Sequence, residues 1–209
     1  MQTTIRGIRG GGSGEEVTIK AERSGGLHVN QVLPPYTLLT ALGKGYMVYD
    51  TNAQIAVQAR PTTTAMLTLW NGESGGGLSY IIDRLYAHQI VSGGAQARWG
   101  IWVMIHPVGT GSVTADLSTI DSLRGIASYG GNARADSADS VTDHGWHPWG
   151  DSLDVEPTGI LPGAQKDVRP EGRIVIPPGS AVSMTVVAST ANEDFHVGIQ
   201  WYEVQLELA

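Results

Sequence analysis

The chain has no cysteine. That excludes disulfides, thiolate metal sites and a thiol nucleophile, and it fits a cytosolically assembled protein. It has a single phenylalanine in 209 residues, and only 16% of its side chains are charged. No run approaches the ~18 apolar residues of a membrane-spanning helix, and the opening residues, Met1 to Gly7, carry no apolar signal core. No membrane partner and no export signal are expected. The formal net charge of −7 lacks the basic excess that duplex nucleic acid demands, so no nucleic-acid partner is expected. No GxxxxGK[ST] phosphate loop occurs, and no repeat of solenoid or propeller period is visible.

What is present is β-pattern. Val182, Met184, Val186 and Ala188 share one phase, with Ser183 and Thr185 on the other. Phe195, Val197, Ile199 and Trp201 share a phase in the next segment. Alternation with period two marks strands with one buried side. Thr64 to Trp70 and Glu16 to Ala21 read the same way. Leu42 to Tyr49 and Ala53 to Ala59 read as two strands joined by an Asp50-Thr51-Asn52 hairpin turn. Leu78 to Val91 meets helical spacing in part, but its β-branched and aromatic content favours a strand. Arg98 to His106 is apolar on both faces, with Trp99, Ile101, Val103 and Ile105 on one and Trp102 and Met104 on the other. Such a strand is central with a covered outer face, or lies at a subunit interface. Pro34-Pro35 breaks any helix through Val32 to Leu42.

These patterns predict an all-β fold: an antiparallel β-sandwich of eight to ten strands, a jelly roll, with no secure helix. Residues 1–15, rich in glycine, read as a flexible N-terminal arm. Residues 16–209 read as a single sandwich domain with a long acidic, loop-rich insertion at about 107–172. Within it Ser112 to Leu117, Ser122 to Ser128 and Ser152 to Glu156 are candidate short strands. The insertion concentrates the charge. Between Ala115 and Glu156 eight acids face two arginines, which accounts for six of the seven net negative charges. It reads either as a solvated loop region or as a face for a basic partner or a divalent cation.

The densest chemical cluster is Asp143-His144-Gly145-Trp146-His147-Pro148-Trp149-Gly150-Asp151. His144, Trp146, His147 and Trp149 are candidates for a ligand or interface loop. The alternative is that the two tryptophans anchor the loop while the histidines make ordinary hydrogen bonds. A His-x-x-His pair without a third ligand is a poor zinc site. Asp136, Asp139 and Asp143 lack the central glycine and alternation of a calcium loop. Asp154 and Glu156 lie on one strand face, which suits solvent exposure as well as acid–base work. No nucleophile, base and orienting group assemble, so no catalytic residues, no metal and no cofactor are expected.

Three stretches carry a family resemblance: the arm Arg6 to Gly14, the pair LSYIIDRLYAHQIV and RWGIWVMIHPVG, and the close IPPGSAVSMTVVAS with FHVGIQWYEVQLEL. Together they resemble the capsid decoration, or cement, proteins of tailed bacteriophages. The resemblance implies a non-enzymatic structural virion protein on the outer capsid surface, a homotrimer whose partner is the major capsid protein. Ile5, Arg6, Ile8 and Arg9 would be the capsid-contacting arm. The jelly-roll shape is shared by carbohydrate- or receptor-binding domains of phage tails and fibres, which is the alternative function.

Overall fold

The computed structural model describes residues 6–8, 16–18, 36–92, 97–114, 116–117, 119–125, 128–150, 153–155, 164–190 and 192–206, with backbone alone at 6–8, 16–18, 97 and 153–155. The chain divides into two units, Met1–Leu38 and Leu39–Ala209. In the first, β1 (Arg6–Ile8) pairs antiparallel with β2 (Glu16–Thr18), so Arg6 stands opposite Thr18 and Ile8 opposite Glu16.

A short helix, α1 (Thr37–Ala41), comes next in the chain. No secure helix was expected here. Pro34-Pro35 precedes the helix instead of interrupting it, because proline forbids only what lies N-terminal to it. Gly43, at φ +70°, ends it. Lys44 N–H reaches Leu39 O and Gly43 N–H reaches Thr40 O, both at 2.9 Å, the bonding pair of a glycine-closed C-terminus.

The strands that follow are β3 (Gly45–Ile55), β4 (Thr64–Asn71), β5 (Ser79–Val91), β6 (Ala97–His106), β7 (Ile120–Ser122), β8 (Ala133–Ser140), β9 (His147–Pro148), β10 (Leu153–Val155), β11 (Gln165–Val168), β12 (Val175–Ile176), β13 (Ala181–Ala188) and β14 (Asp194–Val204). They form two antiparallel sheets. One runs β10-β6-β13-β4-β8 with β9 added on β6. The other runs β11-β5-β14-β3-β7 with β12 added on β5.

Eight of these strands, β3, β4, β5, β6, β10, β11, β13 and β14, spell a jelly roll. Numbered one to eight, they place strands one, eight, three and six in one sheet and two, seven, four and five in the other. This is the double Greek key wound over a sandwich. Both terminal strands of the sequence pattern lie centrally, β13 between β6 and β4, and β14 between β5 and β3. Val182, Met184, Val186 and Ala188 meet Phe195, Val197, Ile199 and Trp201 in one core, where the Trp99 and Phe195 rings meet edge to face at 4.8 Å. The stretch Leu78 to Val91 forms strand from Ser79 onward, as its β-branched content predicts.

Three local expectations are corrected. Asp50-Thr51-Asn52 does not turn the chain, because β3 runs through it. Phe195 pairs with Gln54 and Val197 with Asp50, so three residues of β3 bulge opposite His196. The Asp50 carboxylate accepts from Asn52 N–H at 2.8 Å and Gln54 Nε2 at 3.1 Å. The turn chemistry is therefore real, but continuous pairing with β14 confines it to a bulge. The described residues of Ser112 to Leu117 carry no strand, and of the stretch Ser122 to Ser128 only Ser122 belongs to a named strand, the end of Ile120–Ser122. Finally, β8 lies inside the segment read as loop-rich. Its sequence, ARADSADS, has poor β-propensity, yet Ala133 and Ala135 enter the core and the whole strand pairs with β4.

All of β7, β8 and β9 come from between the fourth and fifth jelly-roll strands. β7 extends one sheet beyond β3, and β8 extends the other beyond β4.

Candidate functional site: a polar cleft on the outer sheet face

Across β6, β13, β4 and β8, Met104, Ser183, Thr68 and Asp136 stand directly opposite one another in a row. Opposed residues of antiparallel strands share a face. Met184, next to Ser183, lies in the core, so this row points away from it. An outward row should be wet, but Ser183, Thr68 and Met104 are at most 1% exposed. The insertion covers them. Trp146 and Val141 pack on Met104 and Ala65 in a small apolar cluster of their own, while Trp70 Nε1 donates to Thr110 O at 3.2 Å. The two-faced apolar character of β6 is thus resolved as a covered outer face.

Between the flanks of the insertion lies a cleft of about 330 Å³, with Thr68, His106 and Asp139 below and residues 110–114, 140–142 and His144 around it. A chain of hydrogen bonds runs along it. His106 Nε2 meets Ser183 Oγ at 2.7 Å and Ser183 Oγ meets Thr68 Oγ1 at 2.8 Å. The other ring nitrogen of His106 is Nδ1. It is buried and has no hydrogen-bond partner among the described residues.

The electrostatics agree with a neutral imidazole. Burial, and then the neighbouring His144, push the His106 pKa down to about 4. The two rings meet edge to face at 5.3 Å. Beside Asp139 stand two more carboxyls. Burial first, then the charges of Asp116 and Asp139 and a hydrogen bond with Asp116, push Asp136 up to about 6. Asp139 is also raised, chiefly by burial. Asp116 accepts from Ser137 N–H at 2.7 Å and Ser137 Oγ at 2.6 Å. Ala138, between Asp136 and Asp139 in chain order, holds φ +50°, a left-handed conformation that a side chain adopts at some strain.

Ser183 and His106 stand at the distance of a nucleophile and its base, but Ser183 is 0% exposed, so no substrate carbonyl reaches its hydroxyl. What the cleft offers is binding chemistry: the His144 imidazole, a carboxylate and a set of hydroxyls.

The residues singled out by sequence separate here. His144 is exposed and faces the cleft. Trp146, a candidate for stacking a ligand, is instead 4% exposed, with Nε1 donating to Thr62 O at 3.0 Å. It is an anchor, since its indole completes the cover over Met104. Trp149 is half-buried against the main core, and its ring meets exposed His147 at 5.6 Å. The loop is clasped by Arg60, which pairs with Asp143 through two hydrogen bonds at 2.7 and 3.1 Å. That clasp, with a hydrogen bond from Gly145 N–H, holds Asp143 below its usual pKa. Gly145, at φ +112°, makes the turn that only glycine adopts freely. Among the described residues no group of three His, Asp or Glu stands ready to hold a metal. Ile5 and Arg9 lie outside the described residues, as do Asp151 and Glu156, and Arg6 and Ile8 are described in backbone only.

Sequence reasoning missed His106, Thr68 and Ser183 as a set. Its one signal was the hydroxyl phase of β13, polar on a strand whose other phase is core. It also passed over Gly72-Glu73-Ser74-Gly75-Gly76, which spells G-x-S-x-G. The structure places that run in the turn between β4 and β5 with Ser74 exposed and a strand following, whereas a nucleophile elbow leads into a helix.

The fold and cleft together define the class: a jelly-roll β-sandwich whose outer face is roofed by its own insertion. No protein-family model matches the chain, and no curated protein matches it.

Proposed function

We propose that this protein is a structural virion component that decorates a bacteriophage capsid and stabilises it by binding across neighbouring capsid subunits as a homotrimer. The observation that carries the reading is the architecture: a jelly-roll body with an N-terminal segment that forms a unit of its own. Such an arm lengthens the reach of a compact body over a shell, and many symmetric copies turn weak contacts into firm attachment. Apolar side chains displayed at one end of the β11-β5-β14-β3-β7 sheet add to it. Ile55 and Val91 stand on either side of Asp194, 65% and 44% exposed, and solvent-facing aliphatic residues grouped this way suit an interface. The glycan-binding alternative loses one of its two stacking tryptophans to the core of the insertion.

The test is light scattering of the purified protein, alone and after mixing with capsid shells that lack it. The expected result is a trimer that sediments with the shells, with weaker attachment when residues 1–15 are deleted. A monomer that stays in the supernatant at every shell concentration overturns the reading.

A further inference from the structure

His106 follows Met104 by two residues on β6, so its side chain shares the outward phase that the insertion roofs. It is 3% exposed. Nε2 meets Ser183 Oγ at 2.7 Å, whereas buried Nδ1 has no hydrogen-bond partner among the described residues. A neutral ring tolerates that arrangement. An imidazolium does not, because both of its nitrogens carry protons, and a buried charge without an acceptor at each is driven toward water. The segment that keeps water away is 141–149. The His144 ring lies edge to face against His106 with centroids 5.3 Å apart, and His144 N–H donates to Met104 Sδ at 3.0 Å. Trp146 and Val141 cover Met104 itself. Two backbone bonds moor the segment at its ends, Val141 N–H to Thr63 O at 2.8 Å and Trp149 N–H to Ile101 O at 2.9 Å. The surrounding charges do not steady a cation at His106. From the segment comes His144, whose charge opposes it. Asp143 is tied to Arg60, and His147 lies against Trp149. β13 and β4 present only the hydroxyls of Ser183 and Thr68. β8 brings Asp136 and Asp139, and the facing flank brings Asp116. Burial and like charge favour the protonated forms of Asp136 and Asp139, so negative charge is lost there as pH falls. Arg134, also on β8, lies over the Trp70 ring.

We propose that residues 141–149 form an acid-operated lid, which protonation of His106 lifts from β6 to uncover the row Met104, Ser183 and Thr68. The proposal is independent of the capsid reading. Linkage sets the size of the effect. Burial, and then His144, hold the His106 pKa at about 4 under the lid, against about 6.5 in water. A group whose pKa is lower in the closed form favours the open form as pH falls. The open fraction therefore grows about tenfold per pH unit between those two values, and about twentyfold from pH 7 to pH 5. The Arg60–Asp143 clasp is not what acid releases, because Asp143 is held below its usual pKa and keeps its charge across that range.

The test is amide hydrogen exchange of the full chain at pH 7, 6 and 5, read by mass spectrometry and corrected for the intrinsic exchange rate at each pH. The expected result is lid opening, read at the amides of residues 142–149, that rises about twentyfold from pH 7 to pH 5, while the amides of β14 hold one corrected rate. In His106→Gln the lid is expected to hold one corrected rate as well. Should that variant fold poorly, the His106 ring of the unaltered protein is titrated by ¹⁵N resonance, with a midpoint well below the ordinary histidine value expected. Four results overturn the proposal: lid opening that does not change with pH; a rise of equal size in β14, as global unfolding would give; a rise that persists in His106→Gln; and a ring midpoint at the ordinary value of about 6.5.

Discussion

Replacing Ser183 with alanine removes the middle link of the chain from His106 to Thr68 and leaves both neighbours in place. Ser183 is 0% exposed and Thr68 is 1% exposed, so water does not take over from the lost hydroxyl. Two bonds, at 2.7 and 2.8 Å, are severed. His106 Nε2 and the Thr68 hydroxyl each lose a partner. At about 1–3 kcal/mol for each stranded buried group, less the small apolar gain of the methyl, the loss is about 2–4 kcal/mol. For a chain of this size each kcal/mol moves Tm by about 2–4 °C, so a fall of about 5–15 °C is expected. Calorimetry and urea titration with an unchanged m-value measure it. Adding Thr68→Val removes one stranded group, so the double variant is expected to be more stable than the sum of the singles by about 1 kcal/mol. A Ser183→Ala protein within about 0.5 kcal/mol of the parent, or strict additivity, refutes the chain of bonds.

Trp146→Ala strips the cover from Met104 and Ala65 and is expected to cost about 3–5 kcal/mol in denaturant melts, with a smaller loss for half-buried Trp149→Ala. Acid titration should show two opposing slopes between about pH 6 and pH 4. Asp136, with its folded pKa raised to about 6, binds its proton more tightly when folded, so its burial penalty acts above that pH and is relieved as pH falls. His106, with its folded pKa lowered to about 4, stays neutral when folded while the unfolded chain protonates, so stability drains as pH falls through the same window. Asp136→Asn is then expected to be more acid-sensitive than the parent, and His106→Gln less, in melts at stepped pH. Gly198→Ala would place a Cβ 2.2 Å from the Tyr86 ring, which crosses the glycine and stacks with Tyr49 at 5.5 Å. A loss of about 1–3 kcal/mol is expected, partly restored when Tyr86→Ala is added, as read by equilibrium unfolding.

The parts legible in advance were those where pattern and environment agree. β13 and β14 alternate because one face meets the opposite sheet, and their phases assigned the core without error. β8 was illegible because its inward residues are alanines, too small to mark a face. The pairing offered by β4 selects that segment, and no local preference does. Asp50-Thr51-Asn52 misled because turn chemistry is local, while a strand is decided by its neighbours. The cleft was hidden for the same reason. His106, Ser183, Thr68 and Asp139 are scattered over four strands, and each alone is an ordinary polar residue.

Composition and alternation by themselves determined a great deal here: an all-β chain without disulfides, its two central strands, its core phase and the acidity of its insertion. These follow from the twofold repeat of a strand and from charge, which are properties of neighbouring residues. Which face the insertion covers, that Trp146 anchors it, and that three strands line up a buried chain of hydrogen bonds from His106 through Ser183 to Thr68 were decided only by tertiary structure. Those facts depend on register between segments more than a hundred residues apart in part, as with Thr68 and Ser183, and register is set by the packing of the whole sandwich.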